Sequence, residues 1–71
     1  MNFDEEYKKL GIKIKYLREQ AGLTQEQLAE KAGISLDYLG KIEVNINKPG
    51  LKTVFKIAKS LDIDIKDIFD Y

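Results

Sequence analysis

The sequence predicts an all-α fold: five short helices in one compact domain over residues 1–71. Three observations predict it. Apolar residues recur at steps of three and four along most of the chain. Glycines and small polar residues punctuate that pattern at short intervals, as helix stops and starts do. The clearest strand-like alternation, Leu61 to Ile65, is short, has no partner strand and lies between two helical patterns. The chain has 71 residues, and a domain of that size buries only about 60% of its unfolded surface, so its core must be well packed.

The first helix is expected over residues 5–21, with residues 1–4 frayed. Tyr7, Leu10, Ile14, Leu17 and Ala21 share one face, and Ile12 and Tyr16 widen it. Gly22 follows as a stop. The second helix is expected at about 24–32. Thr24 caps it, and Gln27 three residues later completes a capping box. Leu28 and Ala29 supply its apolar contacts, and Gly33 ends it where a left-handed backbone is cheap for glycine. Ser35 is a second N-cap, opening a third helix to about residue 43 with Leu39 and Ile42 inward. Residues 44–50, VNINKPG, hold the only proline and have loop composition. Gly50 starts a fourth helix, about 51–61, with Leu51, Val54, Ile57, Ala58 and Leu61 inward. Asp64 caps a last short helix, Ile65 to Phe69, with Ile68 and Phe69 inward.

The stretch from Thr24 to Glu43 carries the functional signal. A small residue at Ala29, a glycine four later, and apolar residues six and nine beyond that glycine let two helices cross closely at a steep angle. This is a helix-turn-helix, whose second helix can enter a DNA major groove.

Composition narrows the alternatives. There is no histidine and no cysteine, which removes the commonest general base, the commonest metal ligand and any thiolate or disulfide. There is no glycine-rich phosphate loop and no cluster of metal ligands. The expectation is therefore no enzyme, no catalytic residue, no metal and no cofactor. No apolar run approaches the roughly 18 residues of a membrane span, and the start, MNFDEEYKK, is acidic rather than a signal peptide. The expected location is cytoplasmic, with no membrane partner. Twelve basic and twelve acidic residues give zero net charge, without the overall basic excess usual in a DNA binder. The charge is segregated, however. Residues 8–18 carry Lys8, Lys9, Lys13, Lys15 and Arg18 with no acid, and residues 44–60 carry Lys48, Lys52, Lys56 and Lys59 with none. Acids gather at Asp4, Glu5 and Glu6, within the helix-turn-helix, and at Asp62, Asp64, Asp67 and Asp70. Such segregation can present one basic face, or the lysines can simply be solvated helix faces.

The linked pieces LREQAGLTQEQLAEKAG, IS followed by YLGKIE, a proline, then KIAKSLDI and DIF resemble the lambda-repressor-like, Cro-type helix-turn-helix family, also called the XRE family. The resemblance covers about residues 8–70. It implies that Thr24 and Gln25 meet a phosphate at the start of the second helix, where a helix N-terminus attracts anions. It also implies that Ser35, Leu36, Asp37 and Lys41 face the major groove. There Ser35 could touch phosphate or a base edge, Leu36 a thymine methyl, Asp37 the cytosine amine, and Lys41 guanine or phosphate. Each has a structural alternative: Ser35 caps its helix either way, Asp37 suits a first turn, and Asp37 with Lys41 makes an i, i+4 pair. Tyr38 could reach phosphate through its hydroxyl or lie over the turn. Arg18 and Glu43 match the partly buried ion pair that the family places between the first helix and the end of the third.

The loop after the third helix departs from the family, which commonly continues with arginine, glycine and more basic residues. Asn45 can take the left-handed conformation in place of glycine. Asn45, Asn47, Lys48 and Lys52 stay available to phosphate, whereas Val44 and Ile46 cannot replace cations. Val44, Ile46 and Phe55 could instead pack across a subunit interface, or cover the edge of the core. The functional reading is a sequence-specific regulator of transcription that binds double-stranded DNA, a repressor acting as a homodimer on a palindromic site. The alternative is a protein-interaction module of the same fold, an antitoxin or anti-repressor with a protein partner and weak DNA affinity.

Overall fold

The computed structural model describes residues 2–71, and all elements among them are helical. The order is α1 (Asp4–Gln20), α2 (Gln25–Ala32), α3 (Leu36–Glu43), α4 (Leu51–Ser60) and α5 (Ile65–Ile68). The radius of gyration is 10.9 Å, against about 11 Å for a globular chain of this length. Met1, the first of the residues expected to fray, lies outside the described residues. Asp4 opens α1, and with Glu5 and Glu6 it puts three acids in the first turn, where the helix dipole favours negative charge.

Each helix contributes to one core. Leu10 and Ile14 of α1, Leu28, Ala29 and Ala32 of α2, Leu39 and Ile42 of α3, Val54, Ile57 and Ala58 of α4, and Ile68 of α5 are buried together. Helix α2 packs on both α3 and α4, α1 packs on α3 and α5, and α4 packs on α5. The close approach of α1 to α3 depends on Gly11. A Cβ there would collide with the backbone carbonyl of Ile42 and crowd that of Glu43, 3.3 Å away.

Four of the helices stop by the same device. A residue one or two positions past each end is left-handed: Gly22 (φ 74°), Gly33 (φ 69°), Asn45 (φ 62°) and Asp62 (φ 56°). The next residue then donates its N–H back into the last turn: Leu23 to Arg18 at 3.1 Å, Ile34 to Ala29 at 3.0 Å, Ile46 to Lys41 at 2.8 Å and Ile63 to Ala58 at 3.1 Å. This satisfies carbonyls that the helix end would otherwise orphan. Leu23, Ile34 and Ile63 also fold back against the core. Ile46 does not, and is 68% exposed.

Several inward expectations fail. Ile12 and Tyr16 are 56% and 53% exposed. Each lies two residues from buried Ile14, roughly 200° round a helix, on the side of α1 away from the core. Ala21 is exposed beyond the last turn of α1. Leu51 and Phe69 are exposed, Leu51 as the first residue of α4 and Phe69 as the residue after α5. Asp64 holds the N-cap position of α5 without a side-chain hydrogen bond.

Candidate nucleic-acid interface

Two capped helix starts define the candidate surface. At α2 the Gln27 N–H donates to Thr24 Oγ1 at 3.1 Å, and the Thr24 N–H donates to Gln27 Oε1 at 2.9 Å. Both halves of the capping box are formed, so Thr24 Oγ1 is engaged in the cap. At α3 the Tyr38 N–H donates to Ser35 Oγ at 3.0 Å. Gly33 turns the chain between them. The remaining first-turn N–H groups of each helix lack intrahelical acceptors, which suits phosphate oxygens.

A charged network fixes the two helices against α1. Arg18 Nε donates to Glu43 Oε2 at 2.8 Å and Nη2 to Glu43 Oε1 at 3.1 Å. A third bond runs from Arg18 Nη1 to the Leu23 carbonyl at 2.7 Å. Both side chains are buried. The hydrogen bonds to Glu43 raise the Arg18 pKa above its ordinary value; burial works against the charge, and attraction to Glu43 and Glu19 supports it. The pair thus holds the end of α1, the turn before α2 and the end of α3 in one arrangement, in fork geometry suited to arginine.

Gln25 joins the same network. Its Nε2 donates to Glu43 Oε1 at 3.0 Å, an orientation the carboxylate requires because it can only accept. Gln25 Oε1 lies over Gly40, 3.8 Å from where a Cβ would stand. The side chain is therefore laid across α3, with one amide N–H free for a phosphate. Nothing local in the sequence signals a contact between residues 18 apart.

On α3 the outward residues are Ser35, Leu36 and Asp37, with Lys41 half-buried one turn on. Lys41 Nζ lies 3.0 Å from Asp37 Oδ2, the lysine side chain partly and the aspartate largely exposed. An exposed pair of this kind is worth only a few tenths of a kcal/mol, so it can open to meet DNA. Tyr38 packs against the core cluster from its edge. The loop beyond α3 is less open to phosphate. Lys48 Nζ lies 2.8 Å from Asp4 Oδ1 and 5.8 Å from the centre of the Tyr7 ring, so this cation turns toward the start of α1. Asn45 takes the left-handed conformation, donates from Nδ2 to the Asp4 carbonyl at 3.5 Å, and has a buried Oδ1 with no protein partner among the described residues. Asn47 and Lys52 are exposed, as are Val44, Ile46 and Phe55. The role of Asp4 in holding this loop had no signal in the sequence beyond the opposite charges.

Residues 14–68 match the family model for HTH_3, a helix-turn-helix family. An uncharacterized HTH-type transcriptional regulator of Methanocaldococcus jannaschii is 48% identical over 59 residues, covering 83% of this chain and 89% of that protein. The restriction-modification controller protein C.AhdI from Aeromonas hydrophila has the same fold at a TM-score of 0.89 and 32% identity, covering 92% of this chain and 98% of that one. SinR, the master regulator for biofilm formation, solved in complex with DNA, aligns at a TM-score of 0.80 and 34% identity over 86% of this chain and 98% of that one. The chain belongs to the XRE-type HTH_3 helix-turn-helix family, whose relatives carry the names of transcriptional regulators and repressors. Of two further curated relatives the chain spans 41% and 56%. Among the described residues no helix is long and apolar enough to cross a membrane.

Proposed function

We propose that the protein binds double-stranded DNA in a sequence-specific way and represses transcription as a homodimer on a palindromic site, in the cytoplasm and without enzymatic activity. The observation that carries this reading is the rigid α2–α3 pair, locked by Arg18, Glu43 and Gln25, which leaves Ser35, Leu36, Asp37 and Lys41 on an open outer face. Likeness to SinR, whose structure holds DNA, supports it. In this reading Gln25 and the N–H groups beside Thr24 bind phosphate. Ser35, Leu36, Asp37 and Lys41 read bases, while Tyr38, Asn45, Asn47, Lys48 and Lys52 add backbone contacts. One domain reads only a few base pairs, so two half-sites about one helical turn apart supply specificity. Val44, Ile46 and Phe55 supply apolar surface for the subunit contact.

Selection of duplexes from a random library, followed by salt titration of the winner, tests this reading. Neutralising about four phosphates per subunit gives a log–log slope of about −7 for a dimer. Lys41→Ala should then change which duplex is preferred, and equal losses on cognate and random duplexes would refute base reading by Lys41. A second reading, an antitoxin or anti-repressor that binds a protein, draws on the zero net charge and on the two site lysines already paired with Asp37 and Asp4. Flat, micromolar-or-weaker binding to the selected duplex would favour it.

A further inference from the structure

The outer face of α1 carries a cluster that the proposed DNA contacts do not use. Lys9, Ile12, Lys13, Tyr16 and Tyr71 line a shallow cleft. Ile12, Tyr16 and Tyr71 are all more than half exposed. Lys13 Nζ stands 5.7 Å from the centre of the Tyr16 ring. Tyr71 is held over the start of α1 by its hydroxyl, which donates to the Glu6 carbonyl at 3.2 Å. Neither Lys9 nor Lys13 belongs to any of the three ion pairs among the described residues, although Glu5 lies one turn from Lys9. The cleft therefore combines an apolar floor with two cations that make no ion pair among the described residues.

We infer that this cleft docks an acidic segment of a different protein, one carrying a single large apolar side chain between carboxylates. The apolar side chain would lie on Ile12 and Tyr16, and Lys9 and Lys13 would take the flanking acids. The chemistry is that of an apolar anchor with a charged rim. Charge complementarity to Lys9 and Lys13 chooses an acidic occupant, and the place of the cleft on α1 keeps it available. Gly11 marks the side of α1 against α3, and Tyr16 lies five residues on, about 140° round the helix. The cleft thus faces away from the recognition helix and stays open while α3 is occupied. A second copy could offer its own acids at Asp62, Asp64, Asp67 and Asp70, so self-association in sedimentation that is lost in the lysine variants would overturn the choice of a different protein.

The test uses the whole chain and a displayed library of ten-residue peptides, each with one Phe or Leu among Asp and Glu, with binding of the fluorescein-labelled winner read by anisotropy. Ile12→Ser with Tyr16→Ser, and separately Lys9→Ala with Lys13→Ala, should each weaken it at least tenfold, and the lysine pair should also flatten its salt dependence. All four side chains lie on the surface side of α1, and circular dichroism verifies that the variants fold. The selected DNA duplex should leave peptide affinity unchanged. The inference is overturned by a library with no binder sensitive to Ile12 and Tyr16, by a neutral peptide that binds equally well, or by a single-stranded oligonucleotide that displaces the peptide and needs the same residues. None of these outcomes depends on DNA binding by α3.

Discussion

Gln25 Nε2 lies 3.0 Å from Glu43 Oε1, so the first residue of α2 is tied to the last residue of α3. The same oxygen also accepts from Arg18 Nη2. One carboxylate thereby sets the angle between the two helices of the motif and anchors both to α1. The start of α2 and the setting of α3 are mechanically one unit.

Gln25→Ala removes one hydrogen bond to a buried carboxylate, and unfolding in urea should show a loss of about 1–2 kcal/mol. Gln25→Glu should cost more, because it sets a second carboxylate against Glu43. A glutamate variant as stable as the wild type would contradict the geometry. On DNA, Gln25→Ala should weaken all duplexes alike, since a phosphate contact carries no base information.

Arg18→Met leaves Glu43 buried without its cation and should destabilise by about 3–5 kcal/mol. The double variant Arg18→Met with Glu43→Leu should regain most of that, because a matched apolar pair avoids the desolvation of both charges. Thermal melts of the three proteins measure the difference. A double variant no better than the single would mean that the pair supplies net stability as well as orientation.

Two helical glycines should respond with opposite signs. Gly11→Ala forces a methyl against the Ile42 and Glu43 carbonyls, which are backbone and cannot step aside, so α1 and α3 must separate at a cost of about 1–3 kcal/mol. Gly40→Ala meets only Gln25 Oε1 at ordinary contact distance. It should gain up to about 1 kcal/mol from helix propensity. Denaturant midpoints distinguish the two.

Asp4→Asn frees Lys48 from its 2.8 Å partner. The pair is exposed, so stability should change by less than about 1 kcal/mol. If Lys48 then meets a phosphate, DNA affinity should rise and the salt slope should steepen by about one unit per subunit. An unchanged slope would assign Lys48 to the Asp4 and Tyr7 contact alone.

The parts of this fold legible in the sequence are those that depend on neighbours along the chain. Thr24 with Gln27, Ser35, and Gly33 act within four residues, and their caps and turn stand in the structure as the residue types require. Leu39, Ile42, Val54 and Ile57 follow from helical period. What period alone misses is which stripe finds a neighbour. Ile12, Tyr16 and Leu51 are apolar and in step with a helix, yet each stays more than half exposed. The left-handed Asp62 was equally hidden, because aspartate takes that conformation less often than glycine or asparagine. At the candidate site, the exposed positions of α3 follow from the caps, whereas Gln25 with Glu43 and Asp4 with Lys48 are contacts between distant segments. Only the packed fold brings them together.

The turn after α3 is closed by main-chain bonds: a left-handed Asn45, its N–H on the Ile42 carbonyl, and the Ile46 N–H on the Lys41 carbonyl. The side chains of Val44, Ile46 and Asn47 take no part in closing it. Chemistry at those three positions is therefore free to vary without redirecting the polypeptide, which makes the loop an exchangeable cassette. Arginine or lysine grafted at Val44 and Ile46 would retune the domain's grip on an anionic polymer while the scaffold beneath keeps its shape.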